Sequence, residues 1–158
     1  MPLPKTYLES SVISYLGARE SRDPIVAAHQ QLTRDWWERR RREFDLYVSV
    51  EVLNEIRRGD PEAARVRLNH VELLPVLETD PQARELAARI LAASALPAKA
   101  TADAMHIAVA TVNGMEFLLT WNCTHIANGF VMRAVARLSR EMGYEPPTVV
   151  TPEELMEG

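Results

Sequence analysis

The sequence predicts a three-layer α/β/α fold with a central parallel sheet, in one domain over residues 1–158. Two patterns carry this. Short β-type runs alternate with helical runs from one end of the chain to the other. Helix starts of the form Asp-Pro recur at Asp23-Pro24, Asp60-Pro61 and Asp80-Pro81, each joining a capping side chain to a proline whose missing N–H is harmless in a first turn. Strands separated by helices are joined by crossovers, which leave neighbouring strands parallel and lay the helices on the faces of the sheet. A hydrophobic fraction of 47% and a charged fraction of 25% give such a domain an ordinary core and an ordinary solvated surface.

Residues 6–8 form the first expected strand, set off by Pro4 and leading into Ser10-Ser11. A short helix from about Val12 ends near Gly17. After Asp23-Pro24, the residues Ile25, Ala28, Leu32 and Trp36 recur at helical spacing as far as the run Arg39-Arg40-Arg41-Arg42. Arginines close to a helix C-terminus complement its macrodipole, a simpler account of the run than an RNA-binding patch. Residues 44–48 read as the second strand, and Ser49 caps a helix that carries Glu51 and Glu55 and ends at Gly59. The next helix starts at Asp60-Pro61. Residues 73–77 are a third extended run, and Pro75 suits an edge strand because it has no N–H for a ladder. Asp80-Pro81 opens a helix with Leu86 and Ile90 one turn apart, broken by Pro97. Thr101 is the expected cap of an apolar helix through Met105, Val109 and Val112, stopped by Gly114. Residues 116–120 form the clearest strand, a last helix puts Val131, Val135, Leu138 and Met142 on one face, and residues 148–150 add a final strand.

Several function classes are excluded. No apolar run approaches the roughly 18–20 residues of a membrane span, and residues 1–5 lack the features of a secretory signal. A single cysteine, Cys123, rules out an internal disulfide framework. By elimination the expected location is the cytoplasm, with no membrane partner. The net charge of −4 argues against a generic electrostatic grip on nucleic acid, but leaves room for a nuclease whose metal ion supplies positive charge locally. No HExxH, paired CxxC, glycine-rich phosphate loop or GxSxG elbow occurs. Cys123 and His125 share a loop whose spacing fixes no thiol–base geometry.

In open parallel sheets, functional groups gather beyond the carboxyl ends of the strands. Glu9 and Ser10-Ser11 follow the first strand, Asn122 follows Thr120-Trp121, Glu55 lies in the helix after the second strand, and Asp103 opens the apolar helix. Asp103 stands out, because a carboxylate on a helix apolar almost all round must be exposed at its end, paired, or metal-bound. Favourable interaction with the helix dipole is the plainer account, as it is for Glu51 beside the Ser49 cap. His106 lies three residues after Asp103 and is either a ligand or, as buried histidines more often are, packed and hydrogen-bonded. Trp36 and Trp37 are packing residues before they are a base-stacking platform, yet together they offer more aromatic surface than one helix face readily buries.

Four segments stand in order along the chain: Tyr7-Leu8-Glu9-Ser10-Ser11-Val12-Ile13-Ser14-Tyr15-Leu16, Ser49-Val50-Glu51-Val52-Leu53-Asn54-Glu55-Ile56-Arg57-Arg58-Gly59-Asp60, Ala102-Asp103-Ala104-Met105-His106-Ile107-Ala108 and Leu118-Leu119-Thr120-Trp121-Asn122. Together they resemble the PIN-domain family, and within it the VapC-type toxins of toxin–antitoxin pairs. The resemblance implies a metal-dependent endoribonuclease that hydrolyses RNA phosphodiester bonds, restrained by a cognate antitoxin protein and assembled as a homodimer. It places the family's four acidic positions on Glu9, Glu55, Asp103 and Asn122, and a supporting serine on Ser11. Glu9, Glu55 and Asp103 are the implied ligands of Mg²⁺ or Mn²⁺, hard cations that take carboxylate oxygens and retain water. Glu9 is one methylene longer than the commoner aspartate and Asn122 lacks the charge of an acid, so one firmly held ion is expected instead of a symmetric pair. The same departures define the alternative, a catalytically weakened PIN domain acting as a protein- or nucleic-acid-binding module. A phospho-accepting or dehalogenase-like protein needs a nucleophilic aspartate where Glu9 stands. The structure is expected to bring Glu9, Glu55, Asp103 and Asn122 together in an acid-lined depression free of salt bridges, with some crowded carboxyl pKa values raised.

Overall fold

The computed structural model describes residues 2–157. The chain runs through β1 (Lys5–Leu8), α1 (Ser10–Gly17), α2 (Pro24–Arg40), β2 (Asp45–Ser49), α3 (Val50–Ile56), α4 (Pro61–Val71), β3 (Val76–Leu77), α5 (Pro81–Ala93), α6 (Thr101–Val112), β4 (Phe117–Leu119), α7 (Gly129–Glu141) and β5 (Thr148–Val150). All five strands are parallel, in the order β3-β2-β1-β4-β5. Tyr7 on β1 lies opposite Tyr47 on β2 and Leu118 on β4. From β1 the chain builds outward through β2 and β3, then returns to lay β4 and β5 on the other side. The order therefore reverses between β1 and β4, and loops diverge at their carboxyl ends, where an open sheet places its ligands.

Alternate side chains of a strand face opposite sides of the sheet, yet Thr6, Tyr7 and Leu8 are all fully buried. Helices therefore cover both faces of β1, as the alternating pattern predicts. One core cluster joins Tyr7, Leu8, Ile13, Trp36, Ile107 and Leu118. Trp36 is completely enclosed and Trp37, partly buried, packs against the same core, so most of the tryptophan pair is covered by its own domain. Little of the aromatic surface expected to drive pairing is left, and what remains is part of Trp37. Among the described residues no helix is long and apolar enough to cross a membrane.

Local differences from the expected elements have local causes. Helix α1 starts at Ser10 and not at Val12, because Glu9 caps it. Helix α3 stops at Ile56, and Gly59, at φ +87°, belongs to the turn that leads into α4. The extended run at 73–77 shrinks to Val76–Leu77, since the Leu74 amide still bonds back to Val71, while Pro75 lends β2 its carbonyl. Thr101 does not cap α6. A 3-10 turn (Ala98–Ala100) after Pro97 has already started the helical path, and the Thr101 hydroxyl donates back to the Ala98 carbonyl at 2.6 Å. Arg39 and Arg40 occupy the last turn of α2, while Arg41 and Arg42 continue into a 3-10 turn (Arg41–Glu43).

Candidate active site

Glu9 follows β1 without a break, and its amide extends the ladder to the Leu119 carbonyl of β4 at 3.0 Å. It is the N-cap of α1, one methylene longer than a capping aspartate, and the extra length lets its carboxylate bind two elements at once. Oε2 accepts the Ser11 amide at 3.1 Å. Oε1 accepts the Ser11 hydroxyl at 2.5 Å and the Thr120 hydroxyl, just past β4, at 2.6 Å. Ser11 Oγ in turn accepts the Trp121 amide at 2.9 Å. Glu9 is only 5% exposed, and a carboxylate so buried is tolerated only with such donors.

Glu55 arrives beside Glu9 because α3 follows β2 directly. Its Oε1 accepts the Ser10 hydroxyl at 2.6 Å and lies 2.5 Å from His106 Nε2. His106, fully buried in α6, has Nδ1 2.6 Å from the Tyr7 hydroxyl, which lies 2.7 Å from Ser49 Oγ. Ser49 Oγ accepts the Val52 amide at 3.1 Å. With a neutral ring the chain is fully matched: Val52 N–H donates to Ser49, Ser49 to Tyr7, Tyr7 to Nδ1, and Nε2–H to Glu55. Protonating the ring reverses the Tyr7 and Ser49 hydroxyls. Burial opposes the imidazolium, but the hydrogen bond to Glu55 and the charges of Glu9, Glu55 and Asp103 outweigh it, and the His106 pKa is raised. Burial likewise pushes Glu55 up, yet His106, Ser10 and Arg58 together hold it below its ordinary value.

Asp103 lies in the first turn of α6 with Oδ2 2.8 Å from His125 Nδ1. His125 is set by the loop after β4. There Asn122 Oδ1 accepts the amides of Thr124 and His125 at 3.2 and 3.0 Å, and the Asn122 carbonyl accepts the Ala127 amide at 2.7 Å. The Asn122 amide donates at 2.9 Å to Thr120 Oγ1, the hydroxyl that also holds Glu9. One hydrogen-bonded path thus links Glu9, Thr120, Asn122, His125 and Asp103.

Ligand-capable atoms of Glu9, Glu55 and His106 lie within 4.8 Å of one another, the only such group of three among the described residues. Asp103 stands outside that group, although its charge acts on His106. Asn122 commits its side-chain oxygen to the loop. The acids are not free of ion pairs, as Glu55 meets His106 and Asp103 meets His125. For the same reason the Glu55 pKa moves down, where crowding of acids alone would move it up. Nor do the acids line the cleft of about 500 Å³ beside Gly114, Phe117 and Thr148, which opens at the amino edge of the sheet. His106 is packed and bonded at both ring nitrogens. His125 and Thr120 are the site partners that the sequence conceals: Cys123, exposed and free, draws attention to the wrong neighbour of His125. Among the described residues, Glu9 Oε2 accepts a single donor, while Glu55 Oε2 and Asp103 Oδ1 accept none. Each acid therefore has one oxygen tied down and one with open lone pairs, and this hard-oxygen donor set fits a divalent ion such as Mg²⁺ or Mn²⁺.

The family model described as PIN domain matches residues 6–122, from β1 to Asn122. Among solved structures, the chain is similar to VapC20 of Mycobacterium tuberculosis, a sarcin–ricin loop cleaving toxin, with a TM-score of 0.57 and 17% identity over 82% of this chain and 94% of that one. It is similar also to VapBC2 of Rickettsia felis, solved bound to a DNA fragment from its promoter, with a TM-score of 0.58 and 11% identity over 93% of this chain and 98% of that one. At these identities the likeness is one of fold. No curated protein matches the sequence significantly. With the parallel order β3-β2-β1-β4-β5 and a family match that spans most of its length, the chain belongs to the PIN domain family.

Proposed function

We propose that this chain is a metal-dependent endoribonuclease that hydrolyses RNA phosphodiester bonds, and the toxin of a toxin–antitoxin pair. The observation that carries this is the meeting of Glu9 and Glu55 with His106, within 4.8 Å, beyond the carboxyl ends of β1 and β4 in a PIN domain. Glu9 and Glu55 hold Mg²⁺ or Mn²⁺ through their open oxygens, and Asp103 acts through its open Oδ1, directly or by way of water. When bound, the ion supplies a polarised phosphate and an activated water for in-line attack on phosphorus. The chain itself keeps the acids in place: Ser11 and Thr120 restrain Glu9, Ser10 and His106 restrain Glu55, and His125 restrains Asp103. Groups fixed in this way need no reorganisation as charge develops on the phosphate. When protonated, the state its raised pKa favours, His106 offsets repulsion among the acids.

The likeness to VapC20, a toxin that cleaves the sarcin–ricin loop, supports RNA as the substrate here and a cognate antitoxin as the partner. A homodimer belongs to the same proposal, and light scattering at roughly tens of micromolar checks it. The deciding experiment is digestion of total RNA by the purified, antitoxin-free chain with Mg²⁺, with Mn²⁺ and with chelator. Cleavage should need a metal and vanish in Asp103→Asn, a change that removes charge and little packing. A well-folded wild type that cuts no RNA with either metal overturns the proposal. One observation favours the alternative of a weakened PIN domain used for binding: Asn122 is committed to its loop, which leaves three acids. Titration with Mn²⁺ separates the two, since a module without catalysis has no need of a saturable site lost in Glu55→Gln.

A further inference from the structure

Helix α7 begins beyond residue 122, where the family match ends. Its inner face buries Val131, Val135 and Leu138, and its outer face carries Phe130, Arg133 and Arg137 in one stripe. Phe130 is 89% exposed, the only exposed aromatic ring among the described residues. A phenylalanine left in water contributes nothing to its own helix, so packing does not account for it. Arg133 is exposed and has no ion pair among the described residues. Arg137 pairs with Glu141 at 3.3 Å, where both side chains are more than half exposed, a pair of small worth that a phosphate readily displaces.

Two clefts meet at the Phe130 ring. One, of about 300 Å³, is lined by Phe130, Arg133, Ala134 and Arg137. The other, of about 440 Å³, runs past Cys123, Ala127 and Asn128, on the loop that sets Asn122 and His125 at the acids. One end of the groove thus lies on the loop that also carries Asn122 and His125, and the other end carries arginines. On a chain of net charge −4, such a local cationic stripe decides where a polyanion can lie.

Resting on the ribonuclease reading above, we propose that this groove binds the single-stranded RNA flanking the scissile phosphate, with an unpaired base stacked on Phe130 and backbone phosphates on Arg133 and Arg137. Aromatic stacking accepts any base with a free face, and a duplex offers none along its length. The arginines lie one turn apart, about 6 Å along the axis, so both can engage one strand. Glu141 and Glu145, which pair with Arg137 and Arg140, bound the stripe at its far end.

Fluorescence anisotropy of the full chain in chelator, with a labelled RNA of about twelve nucleotides lacking self-complementarity, tests this. The single strand should bind more tightly than the same RNA annealed to its complement. Phe130→Ala should weaken single-strand binding roughly 5- to 100-fold, and Phe130→Trp should restore it. Arg133→Ala and Arg137→Ala should each lower the slope of log affinity against log salt by about 0.7. Thermal stability should not change in any of these, because the residues lie outside the core. Equal binding of single strand and duplex overturns the proposal, as does Phe130→Ala binding like wild type, or Arg133→Ala and Arg137→Ala both keeping the wild-type salt slope, even if the protein cleaves RNA. So does a Phe130→Ala variant that binds RNA normally but loses an acidic peptide, which gives the groove to a protein partner. If the wild type binds through Phe130 yet cuts nothing with metal, the ribonuclease reading fails and the groove stands.

Discussion

Tyr7→Phe removes one oxygen atom and tests the polar chain behind Glu55. The ring stays in place, buried in the middle strand of the sheet. The lost hydroxyl bridges Ser49 Oγ at 2.7 Å and His106 Nδ1 at 2.6 Å. Ser49 keeps the Val52 amide, whereas Nδ1 has no second partner among the described residues and sits where water does not reach. An unsatisfied buried polar atom costs roughly 1–3 kcal/mol, and the bond lost at Ser49 adds about 1 kcal/mol. The variant should therefore be destabilised by about 2–4 kcal/mol, a large share of the roughly 5–15 kcal/mol that holds a domain folded. At about 2–4 °C per kcal/mol for a chain of this size, Tm should fall by roughly 5–15 °C. The same change should make His106 titrate at lower pH, because the imidazolium Nδ1–H then has no acceptor. Thermal unfolding in chelator gives the first quantity, and NMR titration of the His106 ring gives the second. A variant within about 0.5 kcal/mol of wild type, with an unaltered His106 titration, would show that the chain of bonds carries no such coupling.

Three further outcomes are expected. Without metal, Glu55 has a lowered pKa, so its contribution is complete above the ordinary glutamate range and lost as pH falls through the lowered value. His106 has a raised pKa, so its contribution is complete below the ordinary histidine value and lost as pH rises through the raised one. Metal-free stability from this pair should be greatest between about pH 4.5 and 6.5, and urea unfolding in chelator that stays flat from roughly pH 6 to 9 contradicts it. Asn122→Asp keeps an acceptor for the Thr124 and His125 amides while adding a fourth carboxylate. Mn²⁺ should bind about five- to tenfold more tightly by calorimetry and metal-free stability should fall; weaker Mn²⁺ binding counts against a metal pocket at this place. Asp103→Asn should retain wild-type circular dichroism while losing RNA cleavage, and a collapse of the fold would mean that Asp103 serves structure first.

Helix starts were legible because they are decided within three residues. Asp23, Asp60 and Asp80 each accept amides of their own first turn, as their sequences promise. Thr101 was misleading because the 3-10 turn at Ala98–Ala100 sets the backbone on a helical path before the threonine can cap it. The third strand was overestimated because an edge strand forms only where its neighbour reaches, and β2 pairs with just Val76 and Leu77. At the site, the acids themselves could be read from their places after strands. Their partners could not, since Ser10 and Glu55 are 45 residues apart and Tyr7 and His106 are 99 apart. Such bonds form only once the sheet is assembled, and no periodicity records them. His125 was hidden for a related reason: the Asn122 turn that aims it is local, but the carboxylate it meets lies on another helix.

Glu9 is held by a hydroxyl 111 residues further along the chain. A ribosome releases β1, β2 and α3 long before α6 and β4, so a half-made polypeptide holds Glu9 and Glu55 without His106, Thr120 or the strand that completes β1 on its other side. On the ribonuclease reading proposed above, this order of synthesis would act as a safety catch, since the residues that complete the site emerge only with the final third of the chain. A fragment ending at Ala100 should accordingly bind no Mn²⁺ at this site and cut no RNA, so that loss of the last helices and strands should cost as much as loss of an acid.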